Sequence, residues 1–311
     1  MSGVVLCVGV AVYDQIFALG QFPARPTKIF ANDFSSCVGG PAANGSITVA
    51  RQGGRATLWA RVGGDMQGDR IVAELSGNGV DASRVRRVAG ARSGTSAVGV
   101  TPDGERMLWV FADPALDADA AWLPLNDVAR HDTVLADVRW PAASRAVLAA
   151  ARQAGVPSVL DADLTSDPQA LADLVPLATH VLFSEPALAQ AMGDLPAEQG
   201  LRAVFGRGGH VVVGVTRGEQ GCAWVDAEGY HEEPGVKVRV LDTLAAGDVF
   251  HGAYALALAQ GRDARECARY ANLVAAAKCA RWGGGASIPN VAELEAFAHH
   301  HRAVGACKEY S

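Results

Sequence analysis

Asp248 is the side chain in this sequence whose neighbours best suit it for chemistry. It follows the small residues Ala245, Ala246 and Gly247 and precedes the run VFHGAYALALA, with Gly261 as a helix stop. Small residues ahead of a helix leave its first N–H groups open to close approach, and the helix dipole adds partial positive charge there. An anion can settle on those donors, and a carboxylate beside it can take the proton from a hydroxyl attacking a phosphate. The same Asp also suits the plainer role of an N-cap.

The elements that would position such a group follow a β-α-β-α rhythm. Residues 4–10, 57–62, 133–137, 158–163, 180–184 and 210–216 are apolar, β-branched runs, and most are followed by helical patterns. This rhythm predicts an α/β fold, a doubly wound and mainly parallel sheet flanked by helices. Ligands bind such sheets beyond the carboxyl ends of the strands, where Asp14, Asp137, Arg139, Asp161 and Thr216 are expected. Two segments break the rhythm. Residues 13–35 have no helical period, and residues 93–112 read as two strands around Pro102-Asp103-Gly104. The expected organisation is a core of 1–12, 36–92 and 113–311 with a small β-sheet lid from 13–35 and 93–112.

Half of the 311 residues are hydrophobic and 19% are charged, which describes a globular chain with ample core. A net charge of −6 without a Lys/Arg block argues against nucleic acid and against a polybasic membrane anchor. The apolar opening is too short to span a bilayer. Six scattered cysteines without a C-x-x-C pair fit reduced thiols in a cytoplasmic protein. Neither a Walker A loop nor a G-x-G-x-x-G fingerprint is present. His251 is expected to pack as a core histidine, and His299, His300 and His301 to be a solvated helix end rather than a metal site.

Four stretches in order resemble the ribokinase-like (PfkB) carbohydrate kinases. They are GGPAANGSITVARQGG at 39–54, RVGGDMQG at 61–68, VTRGEQG at 215–221 and DTLAAGD at 242–248. The resemblance implies an ATP-dependent enzyme that phosphorylates a sugar hydroxyl, with Mg2+. By position, Asp248 would be the base and the backbone of Ala245, Ala246 and Gly247 the anion hole. Asp14, Gly39, Gly40 and Asn44 would contact the sugar. Thr216, Gly218, Gly221, Asn272 and Gly284 would face the nucleotide. Asp242 and Thr243 would line a monovalent cation (K+) site with their backbone, and a homodimer would form through the lid.

Two departures matter. Ala245 replaces the family's first loop glycine, which predicts that this position has no need of positive φ. Ser184-Glu185-Pro186-Ala187 stands where many members carry Asn-x-x-Glu to organise Mg2+; Glu185 is either a substitute ligand or a helix-start acid. LADVRW, VLDAD, FSEPALA, DVFHGA and KCARWGGGASIP look most like the sulfofructose kinase branch. The leading expectation is therefore a ketose kinase acting on a primary hydroxyl, with an acid at the sugar's far end. Arg139 and Lys28 would bind that acid. Against it, Val110 stands where that branch carries an Asn, and Arg139 has the alternative of pairing with a carboxylate. A neutral-sugar kinase of ribokinase, fructokinase or ketohexokinase type is the other enzyme reading, and a non-catalytic sugar sensor the third.

Overall fold

Parallel strands need crossover connections, and the helices that supply them bury the strands on both faces. The computed structural model describes residues 2–116 and 119–308, with backbone alone beyond 301. Met1, residues 117–118 and 309–311 of the expected core segments lie outside the described residues. In chain order the elements are β1 (Val4–Val8), β2 (Val12–Ala18), β3 (Asp33–Gly39), α1 (Pro41–Arg51), β4 (Arg55–Gly63), α2 (Met66–Gly77), β5 (Val80–Asp81) and β6 (Val85–Val88). There follow β7 (Gly94–Val100), β8 (Arg106–Phe111), β9 (Thr133–Asp137), α3 (Pro141–Ala154), β10 (Ser158–Ala162), α4 (Pro168–Leu174), β11 (His180–Ser184) and α5 (Glu185–Met192). The last are α6 (Ala197–Phe205), β12 (Val212–Thr216), β13 (Cys222–Asp226), β14 (Gly229–Glu233), α7 (Ala246–Ala259), α8 (Ala264–Cys279) and α9 (Val291–Lys308).

The main sheet runs β14-β13-β12-β11-β10-β9-β1-β4-β5, with β6 also on β4. Pairings from β12 to β5 are parallel, and β13 and β14 join antiparallel at one edge. From β1 the chain moves to β4 on one side and later returns to β9 on the other, so its order reverses at β1/β9. A crevice opens at such a reversal. Asp137 closes its floor: one carboxylate oxygen accepts the Val10 N–H (2.8 Å) and the Ala42 N–H (3.3 Å), tying strand end to helix start.

A second sheet, β3-β2-β7-β8, stands apart from the first. It comes from the two segments that lack helical period, although it reaches beyond the sequence limits, to Val12 and Gly39. Its outer strand β8 is exposed along its whole length. Helix α7 is apolar nearly all round because it lies between α1 and α8 rather than at the surface. Cys7, Cys37, Cys222, Cys267 and Cys279 are free thiols; the Cys307 side chain lies outside the described residues. Among the described residues, no helix is long and apolar enough to cross a membrane.

Candidate active site

Asp248 lies in the first turn of α7, and a close helix contact brings it its partner. Gly45 on α1 and Gly252 on α7 let the two backbones touch; a Cβ at 252 would stand 2.6 Å from the Gly45 carbonyl oxygen. One residue before Gly45, the Asn44 amide donates at 2.7 Å to the carboxylate of Asp248, which lies one turn before Gly252. The Asn44 side-chain oxygen is buried and accepts from no described group, so it is left for a donor such as a sugar hydroxyl. Asp248 itself is half-buried, open on one side to the crevice.

Ala245 departs from the sequence expectation. It caps α7 at φ 65°, ψ 8°, and is the one described non-glycine residue with positive φ. The turn into α7 imposes that conformation whatever the side chain, at a cost of roughly 1–2 kcal/mol for an L-residue. The donor set differs too. The Ala246 N–H turns back onto the Thr243 carbonyl at 3.2 Å. Among the described residues the N–H groups of Gly247 and Asp248 meet no acceptor. A Cβ on Gly247 would meet nothing within 4 Å, so the space before these donors is open.

An acidic neighbour, Asp161, and a basic one, His251, set the charge balance. Burial pushes the Asp248 carboxyl up to about 7, and the nearby Asp161 carboxylate adds to the rise; Asn44 and His251 oppose it. His251 Nδ1 lies 3.1 Å from Asp161 Oδ2, both side chains buried. Burial disfavours imidazolium, but the Asp161 and Asp248 carboxylates outweigh it and raise the His251 pKa. His251 is thus a buried core histidine whose protonated form the neighbouring carboxylates favour. An Asp held near neutrality suits a general base working at physiological pH.

On the lid side, register aligns Cys37, Asp14, Ser96 and Val110 across the four strands, so these residues share one face. Asp14 is buried, accepts a short hydrogen bond from Ser96 Oγ, and has its pKa raised by that burial. Gly39 permits its approach, because a Cβ there would overlap the Asp14 carboxylate. Gly40, at φ 95°, starts α1, and its carbonyl accepts the Asn44 N–H. Asp14, Gly39, Gly40 and Asn44 therefore converge at the crevice.

On the other side, Thr216 ends β12 and its hydroxyl leans on the Phe183 carbonyl at 3.4 Å. Gly218, at φ 55°, and Gly221, at φ 86°, shape the tight turn into β13. Two of the residues expected to face the nucleotide use their donors within the protein. The Asn272 amide is spent on the carbonyls of Glu233 and Pro234, both at 3.3 Å, so it pins the chain after β14. The Gly284 N–H is spent on Asp242 at 2.7 Å. Glu185 is the exposed first residue of α5, behind the N-cap Ser184, which is the helix-start arrangement. Among the described residues no group of three or more His, Cys, Asp or Glu could hold a metal ion.

The expected monovalent cation does not fit Asp242 and Thr243. The Lys278 ammonium donates to the Asp242 carbonyl at 2.9 Å and lies 3.1 Å from its carboxylate. Arg106, from the lid, donates to the Thr243 carbonyl at 2.7 Å. Both acceptors are taken by cationic side chains.

Arg139 also differs from the expectation of an anion contact. Its guanidinium pairs with Asp163 at 3.1 Å, and its N–H donates to Asp137. Lys28 lies in the exposed connection between β2 and β3, with no hydrogen bond or ion pair to the described residues. Lys278, Arg106 and the Asp161–His251 pair escaped the sequence reading. A lone Lys after Val274-Ala275-Ala276-Ala277 was the one available signal, since a cation among small apolar residues implies a buried partner.

A profile described as pfkB family carbohydrate kinase matches residues 3–291. The chain is 26% identical over 301 residues to the ribokinase of Bacillus subtilis, covering 93% of this chain and 98% of that one. It is 28% identical over 284 residues to fructokinase-1 of Oryza sativa, covering 84% and 88%. The crystal structure of a candidate ribokinase from Agrobacterium tumefaciens matches with a TM-score of 0.91 at 36% identity, covering 97% and 98% of the two chains. The fold, the converging loops and a profile spanning nearly the whole length agree: this chain belongs to the pfkB family of carbohydrate kinases and is a phosphotransferase with an alcohol acceptor.

Proposed function

We propose that the protein transfers the γ-phosphoryl group of ATP to a primary hydroxyl of a small neutral sugar, a pentose or ketose, with Asp248 as the base. The observation that carries this reading is the half-buried Asp248 carboxylate, held by Asn44 beside the open N–H groups of α7. Asp14, Asn44 and the backbone of Gly39 and Gly40 orient the sugar so that one hydroxyl faces Asp248. The N–H groups of Gly247 and Asp248 receive the charge that grows on the transferred phosphoryl. ATP enters over Thr216, Gly218 and Gly221. Its Mg2+ is held mainly by phosphates and water, in keeping with the lone, exposed Glu185. Free thiols and ATP suit the cytoplasm. The exposed apolar strand β8, where Val110 is 66% and Trp109 59% exposed, suits pairing of two copies through the lid.

Neutral sugars are favoured because Arg139 is spent on Asp163 and Val110 presents an apolar side chain on the Asp14 face of the lid. An acid-bearing ketose is the second reading. It rests on the exposure of the Arg139–Asp163 pair, which is weak enough to exchange for a sulfonate or phosphate. ADP release measured over ribose, fructose, and phosphorylated and sulfonated ketoses separates the two. Turnover on neutral sugars is expected, and turnover confined to anionic ketoses would establish the second reading. Asp248→Asn is expected to lower kcat by roughly a hundredfold or more with ATP binding unchanged. Full activity in that variant would remove Asp248 as base, and ATP binding without turnover on any sugar would point to a sensor.

A further inference from the structure

Lys278 and Asp242 are both 0% exposed, and they lie beneath the loop that ends in the α7 donors. A buried ion pair persists only when its remaining hydrogen-bonding capacity is met. Here it is met on the carboxylate side throughout. One Asp242 oxygen accepts the Leu244 N–H at 2.8 Å. The other accepts Gly284 at 2.7 Å and Gly283 at 3.2 Å, and faces the ammonium. The ammonium donates as well to the Asp242 carbonyl, and the last turn of α8 grips the same segment, with the Cys279 carbonyl accepting the Leu241 N–H at 2.9 Å. Three residues after Asp242 stands the strained Ala245, and then Gly247 and Asp248. The αL turn is therefore anchored at its entrance by one internal cation.

We propose that the Lys278 ammonium is the permanent cation of this loop. It fixes Asp242 and so holds the Gly247 and Asp248 N–H groups in place, and phosphoryl transfer here needs no added monovalent ion. Lys278 is a positioning residue: it acts through Asp242 and touches neither sugar nor phosphate. An ammonium resembles K+ in charge and size, so its removal leaves a space lined by the oxygens that a small cation prefers. Arg106 closes the arrangement from above, because its guanidinium holds the next carbonyl, that of Thr243, and also the Thr243 hydroxyl at 2.9 Å. The proposal rests on the kinase reading for its effect on turnover, but not for its effect on cation binding.

Turnover and thermal midpoint of the full chain are measured in Na+ and in K+ at equal ionic strength. The unaltered protein is expected to differ by less than about twofold in kcat and to keep its midpoint. A several-fold gain in K+ would overturn the proposal. Lys278→Ala in Na+ is expected to lose about tenfold or more in kcat while KM for the sugar stays within about threefold, the mark of lost positioning rather than lost binding. K+ or ammonium should restore kcat saturably and raise the variant's midpoint. A folded Lys278→Ala that keeps its kcat, or that responds to no small cation, refutes the inference. Should the unpaired Asp242 prevent folding, Asp242→Asn with Lys278→Met removes both charges; that variant is expected to fold and remain slow, and full kcat in it refutes the inference equally. The midpoint shift needs no turnover, so it tests Lys278 even where the sugar assignment fails.

Discussion

Replacing Asn44 by Leu tests how the Asp248 base is tuned. The substitution keeps the side chain's shape and volume, so water stays out, but it removes the 2.7 Å hydrogen bond to the carboxylate. That bond stabilises the ionised form. Losing it therefore raises the Asp248 pKa above its present value of about 7. A hydrogen bond to a charged group contributes about 1.5–3 kcal/mol, and each pKa unit corresponds to about 1.4 kcal/mol, so the rise is about one to two units. The acidic limb of kcat/KM against pH should move up by that amount. At pH 7 the rate should fall roughly five- to fiftyfold from this cause and recover at alkaline pH. The Asn44 side-chain oxygen is also left without a described donor, and a lost sugar contact would lower the whole profile without moving its midpoint. The position of the limb thus isolates the electrostatic role. A limb that stays in place, or moves to lower pH, would show that Asn44 does not tune the base.

The helix start can be tested by two further changes. Ala245→Gly relieves the αL conformation, with the greater freedom of glycine in the unfolded chain offsetting part of the gain, so stability should rise by about 0.5–1 kcal/mol. Unchanged or lower stability in chemical denaturation would mean that the turn is not strained. Gly247→Ala places a methyl group in the open space before the donors, in a helical position that accepts alanine. Stability should hold or rise while kcat/KM falls roughly tenfold or more; an unchanged rate would remove Gly247 from the anion hole.

What was legible in the sequence was local. DTLAAGD and GGPAAN were readable because a tight approach of backbone to anion or to a neighbouring strand selects small residues within a few positions of one another. The alternation of apolar strands and helices carried the fold class for the same reason, since burial on both faces leaves its mark residue by residue. Even the lid showed, as the two stretches without helical period.

What only the tertiary structure decided joins residues far apart in the chain. Asn44 meets Asp248 because Gly45 and Gly252 let two helices touch, a condition neither helix reveals alone. Asp14 meets Ser96 through lid register, and Arg139 finds Asp163 across neighbouring strand ends. The conformation of Ala245 followed from the turn that feeds α7, which overrode the residue's own preference. Most plainly, Asp242 met Lys278 at the end of α8, and this decided which charge sits beneath the loop. Chemical type is written into each residue, but electrostatic partnership depends on distance and burial, and those exist only once the chain has folded.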